Sequence, residues 1–329
     1  MPSVASGDAH GAAGAAICAQ GGQVNWLTAR DGRRVRTAFF PVADAAGHVL
    51  LLNGRTEFIE KYLETIASLR ERGLAVWTLD WRGQGRSERL LDDAERGHAG
   101  SFDDFVDDLD RYLTTSVLPG AAGAPLMLLA HSMGGNIGLR FLHGHQHHFQ
   151  RAVFSAPMVA FHVGKLPRPL ARLLAGAMCA TGRAGAYAMG QGPAASHPVF
   201  DDNPLTSCPE RFARLQRLLE DDPESRLGGV TWGWLSAALR STALTDAPGF
   251  ARQLRIPLLV FVAQQERIVD NAAIGRFVGA LPAGRLVEIP GARHELLCER
   301  DEPRSMVWRE IDRFLDVRAR PPDAVLGMA

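Results

Sequence analysis

The chain has 329 residues, of which 46% are hydrophobic, and its 36 Lys and Arg residues balance 36 Asp and Glu residues. A chain of zero net charge lacks the positive field by which proteins attract nucleic acid, so we expect no nucleic-acid partner. The four cysteines lie far apart without a CxxC pair, which argues against a disulfide framework or a zinc site and suits a reducing compartment. No apolar run approaches the roughly 18 to 20 residues of a membrane span. We therefore expect a cytoplasmic protein.

Strand-like and helix-like segments alternate along most of the chain. Residues 24–42 predict a hairpin that turns at Asp31-Gly32. Further strands are predicted at 48–52, 74–79, 125–130, 151–155, 256–263 and 284–289, with helices at 57–72, 102–117, 271–281 and 303–317. Continuous apolar strands separated by helices favour a mostly parallel sheet covered by helices on both faces, which is an α/β fold.

Residues 158–252 interrupt this alternation. They are rich in Pro, Arg, Ala and Gly and carry helical periodicity without a convincing strand. We predict a helical cap over an active site, and the alternative is a helical domain with no catalytic role. The core would then comprise 24–157 and 253–318, between a disordered N-terminal segment (1–23) and a C-terminal tail (319–329).

An apolar run ends at a serine between small residues, in the pattern Ala130-x-Ser132-x-Gly134. This is the layout of a nucleophile elbow, in which a buried strand turns sharply into a helix and exposes one side chain at the apex. Small residues on both sides are needed because the strand and the helix approach closely. The motif alone is weak, since short patterns of this kind arise by chance.

A serine nucleophile needs a histidine base that a carboxylate orients. His294 is the best-placed histidine, because it lies in a loop directly after the last predicted strand. The acid should follow the preceding strand, where Glu266 and Asp270 both qualify. The chain order serine, acid, histidine is that of α/β-hydrolases.

A second backbone donor for the reacting oxygen should come from the loop after the 48–52 strand. There, Gly54 would permit a tight turn, and the amide of Arg55 would face the site together with that of Met133.

With these motifs the chain resembles the α/β-hydrolase branch that contains monoglyceride lipases and bacterial lysophospholipases. The resemblance covers about residues 25–318. It depends on the segments 79–91, 97–98, 102–109, 130–135, 266–271 and 291–295, which begin with Leu79-Asp80-Trp81-Arg82-Gly83-Gln84-Gly85 and end with Gly291-Ala292-Arg293-His294-Glu295. It implies Ser132 as nucleophile, His294 as base and the Arg55 and Met133 amides as oxyanion hole. Glu266 aligns with the family acid, with Asp270 as the alternative.

The resemblance also implies a carboxylic ester hydrolase that acts on a single-chain lipid, lysophospholipid or monoacylglycerol, without cofactor or metal. Peripheral contact with the inner face of the membrane is left open, as is the oligomeric state. A proline iminopeptidase-like aminopeptidase would instead need an acidic anchor in the cap, for which Glu220, Asp221, Asp222 and Glu224 are available. A non-catalytic binding protein with this fold is a third reading.

Two further features have both a functional and an ordinary interpretation. Trp232 and Trp234 could line an acyl-chain pocket or belong to the core of the cap. The histidines between His143 and His148 end the helix after Ser132, and we interpret them as a surface segment rather than a metal site, since positive charge suits a helix C-terminus.

Overall fold

The computed structural model describes residues 12–164, 166–195 and 198–316. The strands are β1 (Gln23–Thr28), β2 (Arg34–Phe40), β3 (Gly47–Leu52), β4 (Leu74–Leu79), β5 (Leu126–His131), β6 (Arg151–Ser155), β7 (Leu258–Ala263) and β8 (Gly284–Ile289). The α-helices of the described residues are α1 (Ala12–Ala19), α2 (Leu63–Arg70), α3 (Asp103–Tyr112), α4 (Leu118–Ala121), α5 (Ser132–His145), α6 (Arg168–Ala180), α7 (Pro209–Asp221), α8 (Trp232–Thr245), α9 (Asn271–Gly279) and α10 (Asp301–Leu315).

The eight strands of the described residues form one sheet in the order β1-β2-β4-β3-β5-β6-β7-β8. Strand β2 runs antiparallel to both β1 and β4, and every other neighbouring pair is parallel. Every residue of β3, β4, β5 and β7 is buried, as expected for parallel strands that helices cover on both faces. The predicted fold class and the hairpin at Asp31-Gly32 are therefore confirmed.

Some predicted boundaries are wrong. The predicted helix 57–72 is a 3-10 turn at Ile59–Tyr62 followed by α2. Residues 12–19 form α1 rather than part of a disordered segment, because the Ile17 side chain is fully buried against the core. Residues 1–11 and the predicted tail 319–329 lie outside the described residues.

Helices α6, α7 and α8 all lie between β6 and β7 in the chain. Helices α6 and α8 pack on each other around a small apolar cluster that is separate from the main core and includes Ala171, Ala175, Trp232 and Leu239. None of the helices in the described part of the chain has the length and apolar character needed to cross a bilayer.

Parallel strands bring the loops at their carboxyl ends to one edge of the sheet. The loops after β3, β5, β7 and β8 carry Arg55, Ser132, Glu266 and His294, respectively. The topology therefore gathers at one edge four residues that are up to 239 positions apart in the chain.

Candidate active site

Ser132 lies at the sharp turn between β5 and α5. Its φ is +50°, in the left-handed region that non-glycine residues rarely adopt. The turn is possible only with a small residue two positions on, because a Cβ at Gly134 would lie 2.3 Å from the Asn53 carbonyl oxygen. Ala130 is fully buried in β5, where its methyl group packs in the main core. The strained, tightly packed turn is the geometry of a nucleophile elbow.

His294 joins Ser132 to Glu266 by two hydrogen bonds. Its Nε2 lies 2.8 Å from Ser132 Oγ, and its Nδ1 lies 2.8 Å from Glu266 Oε2. With Nδ1–H donating to the carboxylate, Nε2 is left to accept the serine proton. The side chains of His294 and Glu266 are 4% and 2% exposed, so these bonds form away from water.

The Glu266 carboxylate is held by backbone as well as by His294. Its Oε1 accepts hydrogen bonds from the amides of Ile268 and Val269, at 2.8 and 3.2 Å. Burial raises the pKa of Glu266, but the interactions with His294 and these amides outweigh it, so the pKa lies below its usual value. Asp270, the alternative acid, instead caps α9 by accepting from the Ala273 amide at 3.0 Å.

The Arg55 loop packs directly against the elbow. A Cβ at Gly54 would lie 2.6 Å from Glu57 Oε2 and 3.0 Å from the ring of His131. In this loop the left-handed backbone conformation occurs at Thr56, whose φ is +63°, and not at Gly54. Gly54 is therefore required for close approach, which corrects the prediction that it permits the turn.

Two backbone amides at this junction are suited to bind an anionic oxygen. Met133 is the second residue of α5, where backbone N–H groups lack an intrahelical partner. The Arg55 amide has no hydrogen-bond acceptor within the described part of the chain. Two unpartnered donors beside a serine hydroxyl can stabilise charge that develops on a carbonyl oxygen.

A buried charged cluster that the sequence analysis did not single out lies behind this site. Lys61 Nζ lies 2.6 Å from Glu57 Oε1 and 2.6 Å from Glu295 Oε1. Glu57 Oε2 accepts from Tyr62 OH at 2.7 Å and from the Gly54 amide. The cluster thus connects the Arg55 loop to the residue after His294. The Glu57–Lys61 spacing of four was a usable signal.

His131 packs against His294, with ring centroids 4.8 Å apart. Its Nδ1 lies 2.9 Å from the Ser155 carbonyl oxygen. Burial lowers the pKa of His131 to about 4, and the nearby His294 and Lys61 act in the same direction. A neutral His131 therefore lies under His294 at neutral pH, without adding charge beside it.

The two tryptophans have different surroundings. Trp232 belongs to the small cluster between α6 and α8. Trp234 faces the main core, makes an edge contact with Phe102, and lies 5.6 Å from the Arg55 guanidinium. Trp234 therefore contacts the Arg55 loop of the site.

The other polar groups considered from the sequence are either paired with other side chains or exposed to solvent. Asp222 pairs with Arg86 at 3.2 Å and accepts from Ser225, while Glu224 also pairs with Arg86. Glu220 and Asp221 are exposed at the end of α7. His145 lies 2.9 Å from Asp110, and the described residues hold no group of three His, Cys, Asp or Glu side chains placed to bind a metal.

The fold and the Ser–His–Glu arrangement define an α/β-hydrolase. Residues 43–301 match the family described as serine aminopeptidase, S33, and the chain belongs to this family.

The chain is 35% identical over 281 residues to lysophospholipase L2 of Escherichia coli (strain K12), which covers 83% of this chain and 81% of that protein. It is 26% identical over 273 residues to monoacylglycerol lipase of Mycolicibacterium smegmatis, covering 82% and 89% of the two chains.

Solved structures show the same fold at low sequence identity. A soluble variant of monoglyceride lipase from Saccharomyces cerevisiae, in complex with a substrate analog, has a TM-score of 0.71 and 20% identity over 89% of this chain and 94% of that one. A carboxyl esterase from Bacillus coagulans has a TM-score of 0.72 and 17% identity over 90% and 98%.

Proposed function

We propose that this protein is a serine hydrolase that cleaves the carboxylic ester of a single-chain lipid, a lysophospholipid or a monoacylglycerol. The observation that carries the proposal is the hydrogen-bonded chain from Ser132 through His294 to Glu266. The names of the relatives at 35% and 26% identity indicate the substrate class.

The reaction has two steps. Ser132 Oγ attacks the acyl carbonyl while His294 Nε2 takes its proton, and the protonated histidine then gives that proton to the leaving alcohol. The amides of Arg55 and Met133 donate to the oxyanion. Water next attacks the acyl-enzyme, with His294 again as base, and releases the fatty acid. Glu266 holds the tautomer and stabilises the imidazolium.

A cavity of about 460 Å³, lined in part by the loop that carries Arg55, has the size of a ligand site. Phe212, Leu215 and Leu219, which share one face of α7, contribute an apolar wall. We place the acyl chain along this wall, where each buried methylene contributes about 0.8 kcal/mol. Helix α7 then acts as part of a cap over the site. Trp234 would support the cavity wall through its contact with Arg55, and Trp232 would stabilise the cap.

The aminopeptidase alternative is less well supported. It needs a carboxylate free to bind a substrate amine, and the acids available for that role are exposed or paired with Arg86.

Two measurements test the proposal. A fluorophosphonate probe should label Ser132, whereas a non-catalytic binding protein would not react with the probe. Hydrolysis of monoacylglycerol and lysophospholipid should exceed that of aminoacyl anilides, and preferential cleavage of the anilides would contradict the ester assignment.

A further inference from the structure

Among the residues that the structure describes, the Arg55 side chain has no counter-charge. Its Nη2 donates to the Gly228 carbonyl, and its Nε is buried without a hydrogen-bond partner in the described part of the chain. Burial lowers the pKa of Arg55 to about 10, and no carboxylate of the described residues opposes that effect. Buried charges are normally paired, because removal from water is costly. A partly buried guanidinium beside a reaction site, with a buried Nε and with no carboxylate bound to it in the described part of the chain, therefore suits an anionic ligand.

A second arginine lines the same cavity. Arg226 is partly buried and lines the 460 Å³ cavity together with Arg55. Arg55 binds the carbonyl of Gly228, which lies two residues after Arg226 in the chain and also lines the cavity. Within the residues that the structure describes, the cavity wall contains no Asp or Glu. The Glu95 carboxylate does not line the cavity, but it accepts a hydrogen bond from the amide of Ala194, a residue of the cavity wall.

Several residues that line the cavity also contact the reaction site. Arg55 follows Gly54, which packs against the elbow. The segment Pro204–Leu205 lines the cavity, and its carbonyls accept from the amides of His294 and Glu295, at 3.4 and 2.8 Å. A head group held near Arg55 would thus lie within reach of an ester at Ser132.

We propose that Arg55 and Arg226 form a subsite for the phosphate of the substrate head group, so that the enzyme prefers phosphate-bearing single-chain esters to neutral ones. This inference rests on the proposed function. Guanidinium groups suit phosphate because their planar N–H donors match its oxygens in pairs. The apolar face of α7 would hold the acyl chain, and the arginine end would hold the phosphate.

The test compares 1-decanoylglycerol with 1-decanoylglycerol 3-phosphate, both below the concentration at which they aggregate. These esters share the reacting carbonyl, so the ratio of their kcat/KM values cancels any general damage to the oxyanion hole. The variants are Arg55→Gln, Arg226→Gln and Arg55→Lys. The matched control is Arg309→Gln, an exposed residue of α10.

The wild type should favour the phosphate ester. The ratio should fall about tenfold in Arg55→Gln and about threefold in Arg226→Gln, as expected for lost charged hydrogen bonds. Arg55→Lys should retain part of the wild-type preference for the phosphate ester, and Arg309→Gln should leave the ratio unchanged. An unchanged ratio in both glutamine variants overturns the subsite while ester hydrolysis stands. Absence of hydrolysis and of fluorophosphonate labelling in the wild type overturns the proposed function and this inference together.

Discussion

Nδ1 of His294 lies 2.8 Å from Oε2 of Glu266, whereas Asp270, only four residues further along the chain, is bound to the first turn of α9. The two acids therefore have different roles: Glu266 orients His294, and Asp270 caps α9. Glu266 follows β7 closely enough to meet a histidine on the neighbouring loop, and its second oxygen is held by the backbone amides of the same turn.

Glu266→Gln and Asp270→Asn should differ by orders of magnitude in activity. Loss of the orienting carboxylate costs about 10⁴-fold in turnover, because the histidine no longer keeps the right tautomer. Loss of an N-cap costs about 1 kcal/mol of stability and little rate. Turnover measurements and urea unfolding of both variants separate the effect on rate from the effect on stability. A dead Asp270→Asn beside an active Glu266→Gln would reverse the assignment.

Ser132→Ala should abolish ester hydrolysis and leave the fold intact. Removal of a triad nucleophile costs on the order of 10⁶-fold in turnover. Ser132 already has the positive φ of the elbow, and alanine would bear the same backbone strain there. The stability of the variant should therefore stay close to that of the wild type. Initial rates and circular dichroism check both points. Retention of a tenth of the wild-type rate in pure protein would end the serine-hydrolase assignment.

The α7 wall should set the preference for acyl-chain length. Rates on esters of four to sixteen carbons should rise with length and then level off, since each methylene adds buried apolar surface. Leu215→Trp fills part of the cavity and should shift the plateau to shorter chains. Glu220→Trp, on the exposed side of the same helix, is the control. Strict preference for acetyl or butyryl esters in the wild type would show that the pocket is short.

Lys61→Met should be strongly destabilising. The lysine compensates two buried carboxylates, Glu57 and Glu295, and removing one partner of such a cluster costs about 3–5 kcal/mol. The double variant Lys61→Met/Glu295→Gln should recover part of the loss, because one uncompensated charge is removed. Urea denaturation gives the free energy of unfolding of the wild type and of both variants. Equal stability of Lys61→Met and wild type would contradict the cluster's structural role.

His131 should make the protein less stable in mild acid. The folded state keeps this ring neutral down to about pH 4, while the unfolded chain takes up a proton below about pH 6.5. The free energy of unfolding should therefore fall as the pH drops from 6.5 to 4, with a loss of about 2 kcal/mol from this residue between pH 7.5 and 5. His131→Gln should lose correspondingly less over the same interval. An identical pH dependence of the two unfolding curves would contradict the buried, neutral histidine.

Local sequence patterns determined the sheet and the positions of its loops. The apolar runs of β3, β4, β5 and β7 are buried throughout, so composition and length alone indicated parallel strands. The carboxyl ends of parallel strands meet at one edge, which is why Ser132, Glu266 and His294 could be proposed together from loops far apart in the chain. The small residue at position 134 follows from the same local geometry.

Tertiary structure alone decided the contacts that depend on distance between segments. Both Glu266 and Asp270 follow β7, and only the position of His294 on the next loop distinguishes them. Trp232 and Trp234 are two positions apart on one helix, yet they lie in different apolar clusters, because the packing of α6 and of the core determines what each face meets. That Arg55 has no counter-charge within the described part of the chain is likewise invisible in the sequence, since folding decides which residues come close enough to form an ion pair.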